Sequence, residues 1–326
     1  MESGCLILIF LVCATILGSQ AIESLKFLVI GDMGGLEIEP YTTYYQRCTA
    51  EEMGKIADLY APQFIMELGD NFYMKGVASV HDKRFKWTFE DAYNHTSLQV
   101  PWYLVAGNHD HAGNVTAQIL YSKYSKRWNF PSLYYYKEFP IGTGNHTFGF
   151  IFIDTVLLCG HSDDFSSELI NKPEDKLLAD EQWIFISQAL QKSRANYLFV
   201  AGHYPIYSTA YHGPTQCLVD RLQPMLDKYG ANGYFCGHDH NLQHLRVKSS
   251  SGGSTDYFVS GMANTVDPTA FNEYKVPIGS SLFHYGNLLS RGGFLFAEAT
   301  SNNLTLMFIN GEGKQLYSTV VFPRKL

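Results

Sequence analysis

The sequence has no cluster of lysine and arginine residues, and its formal net charge is −7 at pH 7. Nucleic-acid binding depends on a basic face that neutralises phosphates, so this absence argues against a nucleic-acid partner. The acidic balance does not exclude a small anionic substrate, because bound metal ions can make a site locally positive.

The chain also lacks an apolar run of the about 20 residues that a membrane span needs. The run Leu6–Leu17 is shorter, and it ends in Gly18-Ser19-Gln20-Ala21. Small residues after a short apolar run are typical of a secretory signal peptide. We therefore predict a signal peptide over residues 1–21 and no stable membrane insertion of the rest. An uncleaved anchor is the alternative, because the segment before the run carries Glu2 and no basic residue.

No Pro/Ser-rich linker, repeat or low-complexity tract divides the remaining chain. With 46% hydrophobic and 15% aromatic residues, the chain can bury a sizeable core. We predict one domain over residues 22–326.

Cysteines are few, and no CxxC pair is present, which argues against a zinc ribbon. Cys5 and Cys13 lie in the predicted signal peptide, which leaves Cys48, Cys159, Cys217 and Cys236. A secretory route permits disulfides among these four, in any of three pairings. The chain also carries four acceptor sequons for N-glycosylation, at Asn94, Asn114, Asn145 and Asn303.

Apolar strand patterns alternate with helical patterns along the chain. The predicted helices are Gln46–Tyr60, Val115–Arg127, Leu178–Lys192 and Cys217–Tyr229. The predicted strands are Leu25–Ile30, the run Phe64-Ile65-Met66, Trp102–Ala106, Leu133–Glu138, Thr147–Asp154, Tyr197–Ala201, Tyr234-Phe235-Cys236, Thr255–Ser260, Phe294–Ala299, Leu304–Ile309 and Leu316–Phe322. This order predicts an α/β (α+β) protein whose sheet is mixed early and more antiparallel late.

Five of these strands end in a glycine followed by a side chain that can bind a metal. The side chains are Asp32, Asp70, Asn108, His203, and His238 with His240. Each stretch alone could be ordinary turn chemistry or a core histidine. Ligands gather at the carboxyl ends of strands in α/β sheets, and glycine lets the backbone approach an ion closely. Five such stretches in chain order therefore predict one metal site.

Tyr73, three residues after Asp70, indicates which metal that site holds. A phenol binds a metal as the phenolate, and its ordinary pKa is about 10. A strongly acidic ion such as ferric iron makes that deprotonation easy near neutral pH. Asp70 can bridge two cations with its two oxygens, so the pair Asp70 and Tyr73 suggests a two-metal centre with Fe(III) on one side.

The complete motif series resembles that of the calcineurin-like metallophosphoesterases. The motifs are Gly31-Asp32-Met33-Gly34, Gly69–Tyr73, Gly107–Asp110, Ala201–Tyr204 and Gly237–His240. The tyrosine in the second motif narrows the resemblance to the purple acid phosphatases. The stretches Ser125–Pro131 and Asp163-Asp164-Phe165 are similar to those of the small, tartrate-resistant members found in animals. The resemblance implies two β-sheets packed as a sandwich, flanked by helices, with a binuclear metal site at the strand carboxyl ends.

The resemblance also implies which residues hold each metal. Fe(III) would be bound by Asp32, Asp70, Tyr73 and His240, and the second ion by Asp70, Asn108, His203 and His238. Hard oxygen ligands suit a trivalent ion, whereas imidazoles and an amide suit a divalent one. We expect Fe(II) in the second position, with zinc or manganese as alternatives. Such a centre is net positive by about two charges before hydroxide binds, so it attracts phosphate.

The implied activity is that of an acid phosphatase, which hydrolyses phosphate monoesters with a hydroxide formed at the two metals. His109 and His212 match the family residues that bind substrate and assist protonation of the leaving group. We expect six further histidines to be structural or solvated, namely His81, His111, His146, His161, His244 and His284. Two residues depart from the pattern of mammalian members, Met33 in place of tryptophan and Tyr211 in place of glutamate; neither is a predicted ligand.

The family pattern further implies a disulfide between Cys159 and Cys217. Cys236, on a short apolar strand, is expected to be a buried free thiol, and the state of Cys48 stays open. The polar stretch Gly160–Lys176 is predicted to be an exposed loop. In the family the matching segment covers the active site and is removed by proteases, so Asp163 or Asp164 could compete with phosphate for the metals. Cleavage by a lysosomal-type cysteine protease is expected to raise activity.

We expect a monomer, in the lysosome or outside the cell, acting on phosphomonoesters that are small molecules or parts of phosphoproteins. Three alternatives stay open at this point. The first is a secreted phosphodiesterase or nucleotidase of the same fold, against which Tyr73 argues. The second is a glycoprotein whose iron pair generates reactive oxygen species. The third is a binding module with a vestigial site, which would require lost ligands, and none is lost.

Overall fold

The computed structural model describes residues 24–161, 172–249 and 252–325. The predicted signal peptide therefore lies outside the described residues, as do Asp163 and Asp164 of the predicted loop. The described strands are β1 (Leu25–Ile30), β2 (Phe64–Glu67), β3 (Trp102–Leu104), β4 (Trp128–Asn129), β5 (Tyr135–Pro140), β6 (Thr147–Phe152), β7 (Tyr197–Ala201), β8 (Gly233–Cys236), β9 (Leu242–Lys248), β10 (Ser254–Ser260), β11 (Ser281–Tyr285), β12 (Gly293–Ala299), β13 (Leu304–Asn310) and β14 (Gln315–Val321).

Helices fill the connections between many of these strands. The α-helices are α1 (Tyr44–Tyr60), α2 (Asn108–His111), α3 (Val115–Tyr121), α4 (Thr155–Cys159), α5 (Lys176–Lys192) and α6 (Gln216–Tyr229). Short turns of other helix types cover Phe85–Glu90, Thr96–Leu98 and Glu273–Lys275. Among the described residues, no helix combines the length and the apolar character that crossing a membrane requires.

The strands form two sheets of seven strands each. The first sheet has the order β14-β13-β12-β1-β2-β3-β4, and the second has the order β11-β9-β10-β8-β7-β6-β5. In the first sheet β1 to β4 are parallel, whereas β12 to β14 are antiparallel additions. In the second sheet β6, β7, β8 and β10 are parallel and the outer strands antiparallel. The predicted fold class, a two-sheet sandwich flanked by helices, is confirmed.

Three apolar layers hold the sandwich together. The central layer lies between the sheets and contains Phe27 of β1, Phe150 of β6 and Phe308 of β13. The opposite faces of the strands pack under the helices, as Ile65 does with Met53 of α1. Because β1, β2, β7 and β8 are covered on both faces, they are almost continuously apolar.

Two of the predicted elements that end earlier than expected do so because the chain turns for a specific contact. The helix predicted over Val115–Arg127 ends at Tyr121, and the chain then adds β4 beside β3. The strand predicted over Thr147–Asp154 ends at Phe152. Asp154 instead begins α4, because its carboxylate accepts a hydrogen bond from the Leu157 amide at 2.8 Å.

Candidate metal centre

Five loops at the carboxyl ends of parallel strands build the site. Three follow the neighbouring strands β1, β2 and β3 of the first sheet, and two follow β7 and β8 of the second. Asp32, Asp70 and His238 have φ values of 60°, 57° and 68°, in the left-handed region that non-glycine residues rarely adopt. Backbone strain of this kind is typical of functional sites, where the surrounding structure holds it in place.

One group of donor atoms contains an oxygen pair and an imidazole. The Tyr73 phenol oxygen lies 2.9 Å from Asp32 Oδ1 and 2.9 Å from His240 Nε2. His240 Nε2 is 3.5 Å from the same Asp32 oxygen. Three atoms capable of binding a metal therefore meet at one point, on side chains from three different loops.

A second group of donor atoms lies around His203. Asp70, His203 and His238 each place one possible ligand atom within 4.8 Å of the others. His203 Nε2 lies 3.0 Å from Asn108 Oδ1 and 3.4 Å from Asp70 Oδ2. The other ring nitrogen, Nδ1, donates to the Leu68 carbonyl at 2.9 Å. This bond orients the ring and leaves Nε2 facing the group, as in histidines that bind metals.

Asp70 stands between the two groups. It is almost fully buried, interacts with the Tyr73 phenol on one side and lies beside His203 on the other. Glycine is required opposite it, because a Cβ at Gly107 would lie 2.1 Å from Asp70 Oδ1. All seven ligands predicted from the sequence are thus brought together, in two groups that share Asp70.

Burial and neighbouring charges raise the pKa values of Tyr73 and His203 and lower the pKa of His238. Burial raises the pKa of Tyr73 well above its usual value, and the Asp32 carboxylate adds to the effect. Burial opposes the charge on His203, but the Asp70 carboxylate outweighs it and raises the pKa of His203 to about 9. Burial and the neighbouring His212 and His203 hold the pKa of His238 well below its usual value.

These side chains fit two metal cations of different character. Buried carboxylates and a phenol are costly unless cations compensate them. The group of Asp32, Tyr73 and Asp70 offers hard oxygens, which a trivalent ion prefers. The group around His203 offers imidazoles and an amide, which suit a divalent ion.

The two histidines predicted to act in catalysis line the same cavity as the donor groups. This cavity measures about 560 Å³. His109 Nδ1 donates to the Met74 carbonyl at 2.7 Å, and Nε2 lies 3.8 Å from Asp70 Oδ2. The His212 ring stacks on the His238 ring with 3.9 Å between centroids. Leu36, Ile38 and Met74 form an apolar part of the cavity wall.

Asp110 is a functional residue that sequence reasoning did not single out. Its buried carboxylate accepts hydrogen bonds from the amides of Asn71, Phe72 and Gly107 at 2.9–3.2 Å. The Gln118 side chain adds another at 2.8 Å. Asp110 therefore joins the loop after β2 to the loop after β3. Its place in the Gly107–Asp110 motif was the available signal, whereas nothing in the sequence pointed to Gln118.

Two of the histidines expected to be structural pair with carboxylates outside the donor groups. His111 Nε2 lies 2.6 Å from Asp154 Oδ2, and His244 Nε2 lies 2.7 Å from Asp256 Oδ1.

The predicted sequons Asn94, Asn114 and Asn145 are exposed, and Asn303 is half-buried. Glycosylation at these asparagines stays a prediction.

The disulfide between Cys159 and Cys217 is confirmed, with 5.8 Å between the Cα atoms. It joins the end of α4 to the first turn of α6. Cys236 is a buried free cysteine, and Cys48 is free and half-buried. The bridge therefore lies beside the start of the predicted loop, on the second sheet's side of the molecule.

Comparisons with known proteins agree on a single family. Residues 25–242 match the calcineurin-like phosphoesterase domain. The chain is 46% identical over 310 residues to tartrate-resistant acid phosphatase type 5 of Homo sapiens, covering 95% of this chain and 94% of that one. It is 35% identical over 300 residues to purple acid phosphatase 7 of Arabidopsis thaliana, covering 86% and 84%.

A solved structure extends the likeness to three dimensions. GAP50, described as the anchor in the inner membrane complex of Plasmodium, superposes with a TM-score of 0.76 and covers 93% of this chain and 90% of that one. At 24% identity, this likeness shows the fold alone.

Proposed function

The chain belongs to the calcineurin-like phosphoesterase family and, within it, to the purple acid phosphatases, and on this premise we propose how its residues hydrolyse phosphate monoesters. The family and the relatives make it an acid phosphatase with a binuclear metal centre. Our proposal concerns the metals, the roles of the residues, the control of activity and the location.

We propose Fe(III) at Asp32, Asp70, Tyr73 and His240, and Fe(II) at Asp70, Asn108, His203 and His238, with zinc or manganese as alternatives to Fe(II). The observation that carries this assignment is the Tyr73 phenol oxygen, 2.9 Å from both Asp32 and His240. When bound, two such ions would act as Lewis acids toward the phosphate and lower the pKa of a coordinated water.

The protein's own residues supply position and protons. The His109 Nδ1–H bond to the Met74 carbonyl fixes the ring, so that Nε2 is the atom available to a substrate in the cavity. The His212 amide donates to Asp239 Oδ1 at 2.9 Å, which anchors the backbone of the loop while its ring stacks on His238. We assign phosphate binding to His109 and protonation of the leaving group to His212.

The test of this assignment compares an activated aryl phosphate, an alkyl phosphate and a phosphate diester. The protein should hydrolyse both monoesters and leave the diester nearly untouched; preference for the diester would favour a phosphodiesterase. His212→Asn should lower kcat by about 10²- to 10⁴-fold, the range for general acids. The loss should be larger for the alkyl ester, because its poorer leaving group depends more on the proton.

His81→Asn is the matched control, because His81 is an exposed histidine outside the cavity. Its kinetics should equal those of the wild type. Equal losses for both monoesters in His212→Asn would contradict the assigned proton transfer.

We propose that cleavage within residues 162–176 raises the phosphatase activity. Residues 162–171 lie outside the described part, but Lys172, Glu174 and Asp175, which follow them, are exposed. Exposed polar segments are preferred sites of proteolysis. Limited digestion with a lysosomal-type cysteine protease should increase kcat for an aryl phosphate without loss of metal. Unchanged kinetics after complete cleavage would refute this regulation.

A route through the secretory pathway, to the lysosome or the exterior, is also part of the proposal. The disulfide and the exposed sequons support it, because both are typical of oxidising compartments. The substrates would be phosphomonoesters, free or carried by phosphoproteins, and the protein would act as a monomer.

A further inference from the structure

Arg84 is a buried arginine behind the metal-binding loops. Its side chain is only 5% exposed, and its guanidinium lies 5.3 Å from the centre of the Phe72 ring. Among the described residues, four other arginines form ion pairs with carboxylates, whereas Arg84 forms none. Burying a charged group is costly, and the hydrogen bonds of Arg84 offset part of that cost, together with the charges of Asp82, Glu37 and Asp110.

The hydrogen bonds of Arg84 go to backbone carbonyls of two loops. Nη1 donates to the Gly76 carbonyl at 2.8 Å, and Nη2 donates to the Gly34 carbonyl at 3.3 Å. The Gly34 carbonyl also accepts from the Tyr73 amide at 3.0 Å. Gly34 belongs to the loop that carries Asp32, and Gly76 follows Tyr73 by three residues. The guanidinium therefore joins both loops and holds the Tyr73 segment at each of its ends.

The hydrogen bonds of Arg84 fix the position of Tyr73, whose phenol oxygen belongs to the first group of donor atoms. The loops pack so closely that a Cβ at Gly34 would lie 2.5 Å from the Tyr73 amide nitrogen. A shift of either loop would therefore move the Tyr73 oxygen away from Asp32 and His240.

We propose that Arg84 is a positioning residue for Tyr73, which holds the Tyr73 phenol oxygen in place for the ferric ion by clamping the Gly34 and Gly76 carbonyls. Arg84 acts through the two loops and touches neither the cavity nor the substrate. The proposal rests on the metal assignment made above. It assigns to this arginine a role in the colour and the iron affinity of the centre.

The experiment replaces Arg84 by methionine, which fills similar space without charge or donors. Purified holoprotein and apoprotein titrated with ferric iron are compared with the wild type. We expect iron to bind about 10- to 100-fold more weakly, as for other residues that orient metal ligands. The visible absorption band of the tyrosinate should shift or lose intensity, and kcat should fall while KM changes little.

Arg127→Met is the matched control. Arg127 is also buried, donates to the Tyr93 carbonyl at 2.7 Å and lies 4.5 Å from the Phe89 ring centre. Its carbonyl partners lie outside the five loops. Arg127→Met should lose stability while its visible band and iron affinity stay those of the wild type.

Arg84→Lys serves as a second variant, because lysine keeps the charge but lacks the planar fork that reaches both carbonyls. We expect its band and iron affinity to lie between those of the wild type and Arg84→Met. Should Arg84→Met fail to fold, an altered band and weaker iron binding in Arg84→Lys support the proposal, and wild-type values overturn it. Wild-type values in a folded Arg84→Met also overturn it. A wild-type protein with no visible band would refute the metal assignment instead.

Discussion

Glu67 is a buried carboxyl group directly behind the metal ligands. It ends β2, and its Oε2 accepts a hydrogen bond from the Gly69 amide at 2.7 Å. Its Oε1 has no hydrogen-bond partner among the described residues. Burial raises the pKa of Glu67 well above its usual value, and the negative charge of Asp110 raises it further. The folded protein therefore favours the neutral acid at this position.

A dependence of stability on pH follows. Because the pKa of Glu67 is higher in the folded state, folding takes up a proton wherever the unfolded carboxyl is ionised. Its contribution to stability is fully present below the ordinary pKa of 4.5. It declines as the pH rises from there toward the raised pKa of the folded state, by at most about 1.4 kcal/mol per pH unit. Glu67→Gln should remove this decline, since glutamine can still accept from the Gly69 amide.

Urea unfolding at pH 5 and pH 7, at matched metal content, checks this expectation. The variant should gain stability relative to the wild type as the pH rises. Glu181→Gln, a change at an exposed residue of α5, should show no such trend. A stability difference between Glu67→Gln and wild type that stays constant with pH would show that Glu67 is not neutral in the fold.

The elements that carry the site are loops whose packing leaves no room for added atoms. A Cβ at Gly34 would lie 2.5 Å from the Tyr73 nitrogen and 2.7 Å from the Asp70 carbonyl oxygen. Gly34→Ala should therefore push the first two loops apart, reduce metal content and cost about 1–3 kcal/mol of unfolding free energy, as overpacking does.

Gly253→Ala is the control for this change, because a Cβ at Gly253 would meet no atom within 4 Å. Metal analysis and urea unfolding of both variants separate the two cases. Retention of full metal content and stability in Gly34→Ala would contradict the tight packing of the loops.

The elements also show what the sequence could predict. β1 and β7 were predicted with the bounds they have, because buried parallel strands are apolar runs between polar turns. The ligand-bearing loops were found for the same reason, since each begins where such a run ends. β9 and β11 were not predicted, because their polar residues, such as Gln243 and His244, are buried by partners far apart in the chain.

Contacts distant in sequence explain the other residues that were missed. Asp110 and Arg84 act on loops that only the folded sheet order brings beside them. For Asp154 the reason is local: the apolar run before it predicts a strand, and the five-residue helix α4 that follows leaves little periodic signal. The sequence therefore predicts the metal ligands of the site, but it does not predict the residues that hold those ligands in place.

At the scale of the whole molecule, the disulfide links the chain before residue 162 to the chain after residue 171. Cys159 and Cys217 are separated by 58 residues, so the bridge closes a long loop in the unfolded chain. Cys159→Ser should lower the unfolding free energy by roughly 2–4 kcal/mol, the typical range for loss of a disulfide. After cleavage between 162 and 171, the wild-type fragments should separate on a denaturing gel only under reducing conditions.

Cys48→Ser is the control, because Cys48 is free and only half-buried. It should leave both the unfolding midpoint and the gel pattern nearly unchanged. Fragments that separate without reductant after cleavage would show that the bridge does not form in the purified protein.

The visible spectrum of the purified protein, recorded together with its metal content, tests the central claim most directly. We predict two metal ions per chain, at least one of them iron, and a purple colour from charge transfer between the Tyr73 phenolate and Fe(III). Tyr73→Phe should fold, because the buried ring is kept, and should lose the band. A wild-type protein that binds two irons and is colourless, or a Tyr73→Phe variant that keeps the band, would contradict the account.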